Sequence, residues 1–202
     1  MSTPSPSVAP AEGRLGVLTV GLGAVASTLI AGVELAKRGL GAPIGSLAQM
    51  DTIRLGKRTD NRNPMIKDFV PLARLEDIVW GAWDPFPDDA YVAATRAGVL
   101  ETGKHLEAIS DTLREIRPMK AAFERNYVKN IDAQNIMGKI SKREMLNAIR
   151  ADINKFRDEK KVDRVVMIWC ASTEIFIEPG PQHQNLEAFE KAIDANDPMI
   201  AP

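Results

Sequence analysis

The sequence predicts an α/β fold built on a doubly wound parallel sheet, and three observations predict it. A strand-like run, a glycine turn and a helix-like run follow one another over residues 14–38. Two further apolar runs, at 77–83 and 164–169, break into polar or small residues at their carboxyl ends. Helix-patterned segments separate those runs, as crossover connections between parallel strands require.

The first 13 residues, MSTPSPSVAPAEG, are rich in Pro, Ser and Ala, lack Lys and Arg, and carry no apolar run. They read as a disordered tail and indicate neither a secretory signal nor a transit peptide. Residues 14–20, RLGVLTV, are short, rich in β-branched residues and nearly continuous in apolar character, as a strand covered on both faces would be. From Ala24 the pattern turns helical. Val25, Leu29, Val33 and Ala36 recur at threes and fours, and Gly39 and Gly41 end the run.

Strand, G-x-G-x-x-A, helix is the context of a dinucleotide fingerprint, so the doubly wound sheet is expected to be Rossmann-like. Gly21 permits the tight turn, and Gly23, lacking a Cβ, lets a pyrophosphate approach the backbone. Ala26 is small enough for close helix–strand packing, and the helix N-terminus offers unpaired N–H groups and partial positive charge. On the motif alone, a plain βα turn remains the alternative.

The 19 residues from Leu15 to Val33 hold no charge, which is long enough to cross a bilayer. Four glycines, Thr19, Ser27 and Thr28 interrupt them, and no aromatic residue stands at either end. A buried strand and helix joined by a glycine turn account for the run, so no membrane partner is expected.

The fingerprint calls for an acidic residue about 20 positions on, for the ribose hydroxyls. None suits there. Residues 42–75 read as an insertion outside the sheet, with the polar loop GKRTDNRNP at its centre. The next strand, DIVWGAW, ends at Asp84, ahead of Pro85 and Pro87. Asp84 is therefore a late candidate for the ribose, and helix or turn capping is its equal rival.

A third buried-type strand, RVVMIW, breaks at Cys170-Ala171-Ser172-Thr173-Glu174. Ligands of open parallel sheets sit at carboxyl strand ends, so the turn at Gly21–Ala26, Asp84 and Ala171–Thr173 are expected to meet in one crevice. Ordinary loop hydrogen bonding is the alternative for Ser172 and Thr173. Between the second and third strands the chain is mostly helical, with amphipathic stretches at 88–99 and 101–116. Ser141 to Glu144 has the form of a capping box, opening a helix striped with Met145, Ile149, Ile153 and Phe156. The basic residues around that stripe are interspersed with Asp152, Asp158 and Glu159, which marks a solvated face.

With 202 residues, 45% of them apolar, the chain can bury a core. A net charge of −1 gives no general attraction to nucleic acid. His105 and His183 have no partner at ligand spacing, so no metal set is expected. The single cysteine, Cys170, excludes an internal disulfide, fits a reducing cytoplasm and reads as a small core thiol.

Taken in order, VGLGAVASTLIAGV, GSLAQMDTIRLG, VWGAWDPFPDDAY, VVMIWCASTEIFIE and the closing MIAP resemble the myo-inositol-1-phosphate synthase family, bacterial type, from about Arg14 to Pro202. The tryptophan-bearing segments at the second and third strand ends are far more specific than the glycine turn. Eukaryotic members have a glycine- and asparagine-rich turn where this chain has Gly23-Ala24-Val25-Ala26, so asparagine contacts to a cofactor do not carry over.

The resemblance implies NAD as cofactor and isomerisation of D-glucose 6-phosphate to 1D-myo-inositol 3-phosphate. The steps are oxidation at C5, an intramolecular aldol closure through an enolate, and reduction by the same cofactor. It implies that Gly21, Leu22, Gly23, Ala24, Val25 and Ala26 meet the pyrophosphate and that Asp84 faces the adenosine ribose. Ala171, Ser172 and Thr173 would border the cofactor. It also implies a cytoplasmic homo-oligomer, a tetramer when complete.

Family members are about twice this length, and their lysine-rich catalytic segments lie beyond the motif in which this chain stops. No residue here inherits a catalytic role. The sheet is expected to be incomplete at its C-terminus, with residues 14–202 forming the first part of the NAD-binding domain and leaving an unpaired edge with exposed apolar surface. A nucleotide-binding module without activity of its own is the alternative. An ordinary NAD-dependent dehydrogenase would need substrate-polarising residues that the sequence does not show.

Overall fold

The structure, a computed structural model, describes residues 12–201. Residues 1–11 of the expected tail, and Pro202, lie outside the described residues. Strand β1 (Leu15–Val20) runs between β2 (Ile78–Asp84) and β4 (Arg164–Trp169), and β3 (Met119–Lys120) lies beyond β2. The order is β3-β2-β1-β4, with every pairing parallel. Leu15 pairs with both Ile78 and Arg164, and Val20 with both Trp83 and Trp169. Three strands thus end level with one another, which is what a shared crevice at their carboxyl ends requires.

Seven helices accompany the sheet among the described residues, two of them single turns. They are α1 (Ala24–Lys37), α2 (Leu47–Met50), α3 (Ile66–Phe69), α4 (Ala90–Ala97), α5 (Ser110–Glu115), α6 (Lys142–Lys160) and α7 (Leu186–Asp194). The pleat sends alternate side chains to opposite faces. Val17, Trp80 and Ala82 pack with Ile30, Ala94 and Leu113 of α1, α4 and α5. Leu18 and Trp83 pack with Phe156 of α6 on the other face. Gly81 allows that second contact, since a Cβ there would stand 2.6 Å from Leu18 and 2.9 Å from the Phe156 ring.

The capping box of α6 is present: Ser141 Oγ accepts from the Glu144 amide at 3.2 Å and the Glu144 carboxylate accepts from the Ser141 amide at 2.8 Å. Met145 and Phe156 of its expected stripe are buried. Residues 42–75 stay outside the sheet; an isolated bridge between Thr52 and Met65, with the Ile53 amide bonding the Pro64 carbonyl, closes a loop within them.

Three expectations need correction. In α1 the buried face is Ala26, Ser27, Ile30, Ala31, Glu34 and Leu35, while Val25 and Leu29 of the expected stripe are 69% and 40% exposed. The first turns of α1 carry no charge on any side, so periodicity could not select a face; the small Ala26, Ser27 and Ala31 on the buried side let helix and strand approach closely. The amphipathic stretch at 101–116 is broken, a π turn at Thr102–Leu106 leading through a tight turn into the short α5. Strand β4 reads as covered on both faces, but it is an edge strand with Val166, Met167 and Trp169 exposed. Strand β3 is an addition: two residues are too few to show a period.

Candidate cofactor-binding site

The glycine turn begins where β1 ends. Gly21 has φ +96°, and a Cβ on it would lie 3.1 Å from the Ala171 nitrogen. Glycine is needed there for conformation and for space. Its amide donates to the Trp83 carbonyl at 2.8 Å, and the Leu22 amide donates to Asp84 Oδ2 at 2.6 Å. The Leu22 side chain turns into the core with that of Ala26.

Gly23 differs from Gly21 in both respects. Its φ of −76° suits any residue, and no atom of the described chain lies within 4 Å of where its Cβ would be. Nothing among the described residues demands glycine at this position, and the space beside it is open. The first intrahelical bond at this end runs from the Ser27 amide to the Gly23 carbonyl. The amides of Gly23, Ala24, Val25 and Ala26 therefore come before the helical ladder. Helices α4, α6 and α7 are capped by the side chains of Asp89, Ser141 and Asn185, whereas α1 has no side-chain cap. The open amides, the dipole of a 14-residue helix and the missing Cβ together fit the pyrophosphate of a dinucleotide.

Asp84 is buried, and both of its carboxylate oxygens are engaged. Oδ2 takes the Leu22 amide and Oδ1 takes the Phe86 amide at 2.9 Å. The turn-capping role is therefore present in the structure. Asn135 fixes the same strand end from outside, its side-chain amide donating to the carbonyls of Asp84 and Met119 at 3.0 Å each.

Past β4, the Cys170 amide still bonds the Val20 carbonyl at 2.8 Å, and Ala171 then lies against Gly21. Ser172 and Thr173 are exposed, and the Ile175 amide reaches the Tyr127 carbonyl at 3.0 Å, tying this exit to the loop after β3. Burial raises the pKa of the Cys170 thiol, keeping it protonated and a poor nucleophile at neutral pH. Burial, with the Glu174 carboxylate second, raises the pKa of Tyr127.

Two cavities meet at Gly23 and Asp84. One, of about 330 Å³, opens toward β4 and is lined by Gly21, Ala171, Ser172 and Thr173 among others. The second, of about 290 Å³, opens toward α4 and is lined by Leu22, Ala24, Asp88 and Arg96 among others. Of the ten residues expected at the site, Val25 and Ala26 line neither cavity. Sequence reasoning missed Ala122, Phe123 and Tyr127, which wall the first cavity, and Arg96 in the second. Their only signal would have been the short β3 before them. A larger cavity of about 540 Å³ lies along the part of β2 that the short β3 does not pair, beside Glu34 and Lys37, and none of the ten expected residues lines it. No group of three or more His, Cys, Asp or Glu side chains that could hold a metal occurs among the described residues.

The family model described as myo-inositol-1-phosphate synthase, a model of its NAD-binding part, matches residues 15–202. The chain is 45% identical over 197 residues to inositol-3-phosphate synthase 1 of Bacteroides thetaiotaomicron, an alignment covering 96% of this chain and 45% of that protein. It is 30% identical to inositol-3-phosphate synthase of Dictyostelium discoideum, covering 94% of this chain and 40% of the other. The crystal structure of inositol-3-phosphate synthase from Caenorhabditis elegans superposes with a TM-score of 0.83 at 25% identity, again over 94% of this chain and 40% of that one. The chain thus spans less than half the length of these relatives.

Proposed function

We propose a role for each strand end from one premise: this chain belongs to the myo-inositol-1-phosphate synthase family and matches its NAD-binding part. The open amides of Gly23, Ala24, Val25 and Ala26 hold the pyrophosphate, with Gly23 admitting it to the backbone. Gly21 and Leu22 shape the turn, their own amides being engaged by Trp83 and Asp84. Asp84 offers its remaining lone pairs to the adenosine ribose hydroxyls, and Ala171, Ser172 and Thr173 border the cofactor on the β4 side.

In the complete enzyme the reaction is the isomerisation of D-glucose 6-phosphate to 1D-myo-inositol 3-phosphate. NAD, when bound, supplies a hydride acceptor that becomes the donor later in the same cycle, so no net redox change results. This chain binds and orients; its residues hold no substrate proton, and the groups that stabilise the enolate belong to the longer protein. By the same family reading, that protein is a homo-oligomer, a tetramer, working in the cytoplasm. No helix among the described residues is long and apolar enough to cross a membrane. On this reading the 202-residue chain binds NAD by itself.

The observation that carries this reading is the empty surround of Gly23 at an uncapped helix start, level with three carboxyl strand ends. Calorimetric titration of the chain with NAD tests it, using Gly23→Asp as control. Saturable binding abolished by the control is expected, because a carboxylate there would take the place of the phosphate. A folded chain that does not bind NAD overturns the reading.

A further inference from the structure

The two cavities flanking Gly23 are poor in positive charge for a site that would take a pyrophosphate. Neither Lys nor His lines them, and the single cation among the lining residues is Arg96, in the cavity between the glycine turn and α4. Arg96 sits near the C-terminal end of α4, and its side chain lies back along the helix toward the N-terminus, as helical side chains do. That direction brings its guanidinium to Asp88, at 2.8 Å, level with the carboxyl ends of the strands. The pair is open to water, with the Arg96 side chain 64% exposed, and an ion pair so exposed is weak.

Asp84 accepts one backbone amide on each carboxylate oxygen, and the ion pair that Arg96 makes is with Asp88. Asp89, the other nearby carboxylate, caps α4 through the Val92 amide at 3.0 Å. The guanidinium fork suits two phosphate oxygens at once, whereas its exposed ion pair with Asp88 holds it only weakly.

Resting on the NAD reading above, we propose that Arg96 is a phosphate-binding residue held in reserve by Asp88. On nucleotide binding the guanidinium leaves Asp88 and takes oxygens of the pyrophosphate lying at the α1 N-terminus. Asp88 is then an internal competitor that lowers affinity for the anion. Its removal strengthens binding, and this gain depends on Arg96.

The test is calorimetric titration of the full 202-residue chain with NAD, and separately with adenosine, at two salt concentrations. The proteins are the parent, Arg96→Gln, Asp88→Asn and the double variant. Arg96→Gln is expected to weaken NAD binding about tenfold, the usual scale of one charge-assisted hydrogen bond, and to reduce its salt dependence. Asp88→Asn is expected to tighten NAD binding a few-fold, and the double variant to show no such gain. Adenosine, which has no phosphate, should bind all four alike. Tightening cannot come from misfolding, so the Asp88 arm stands even if Arg96→Gln is less stable. A parent that binds NAD, with Arg96→Gln binding equally well, overturns the role of Arg96 and leaves the cofactor reading intact. A folded parent that does not bind NAD overturns both.

Discussion

The carboxylate of Asp84, at the end of β2, accepts the amide proton of Leu22, just past the end of β1, at 2.6 Å across 62 positions of sequence. This bond joins two strand ends and removes one amide of the glycine turn from any role toward a ligand. The amides open to an anion therefore start at Gly23.

Asp84→Asn preserves shape but replaces one of two acceptor oxygens by a donor. Either the Leu22 or the Phe86 amide then faces an NH2 group. The expected cost is about 1–3 kcal/mol of stability, with weaker NAD binding alongside. Urea unfolding of the pair of proteins reads the first effect, and an unchanged midpoint would show that the carboxylate does not hold the turn.

The two glycines of the turn should separate fold from function. Gly21→Ala places a side chain at φ +96° against the Ala171 backbone, and is expected to cost about 1–3 kcal/mol. Gly23→Ala meets no atom of the described chain, so stability should change by no more than about 0.5 kcal/mol while NAD affinity falls. Thermal unfolding and NAD titration of both variants check the contrast. Equal stability losses would remove the argument for an external occupant at Gly23.

Glu34 is buried under the sheet and accepts from Trp80 Nε1 at 2.7 Å and Lys37 Nζ at 2.6 Å. Lys37 also donates to the Ile78 carbonyl at 2.8 Å. Lys37→Met leaves the Glu34 charge buried with only an indole donor, and should cost about 3–5 kcal/mol by denaturant unfolding. A loss below 1 kcal/mol would mean that water reaches Glu34 in the variant.

Three carboxyl groups have pKa values lowered by their partners in the fold. The Thr112 amide, and then Arg38, hold Asp111 below its ordinary pKa; the Ser141 hydroxyl does the same for Glu144, and the Arg143 guanidinium for Asp194. A folded pKa below the unfolded one means that the stabilisation is complete above the unfolded value, near 4, and is lost as pH falls through the folded value. Stability should therefore decline below about pH 4–5. Asp194→Asn and Glu144→Gln should flatten that decline, as read by urea midpoints from pH 3 to 7. An unaltered slope in both would place the acid sensitivity elsewhere.

Much of this was legible along the chain. The βα unit at Gly21, the strands ending at Asp84 and Trp169, and the α6 capping box are local patterns of period, glycine and cap chemistry, and each is present. The face of α1 was not legible, because the first turns of that helix are uncharged on every side and only the sheet beneath distinguishes them. Nor was β3, which is a strand only because Asn135 and β2 hold it in register.

By itself, then, the sequence determined the βα unit at Gly21, the two longer strands after it and the start of α6, and that the strand ends carry small and acidic residues. A backbone dihedral, a cap and a hydrophobic period each depend on neighbours within a few positions. Only the tertiary structure decided what those residues do. Asp84 is spent on Leu22, the free amides start at Gly23, and Arg96 stands with Asp88 beside the turn. Most of these are matters of which donor meets which acceptor across the level ends of parallel strands. No local pattern carries that, because the partners are brought together by the crossover helices and not by the order of the chain.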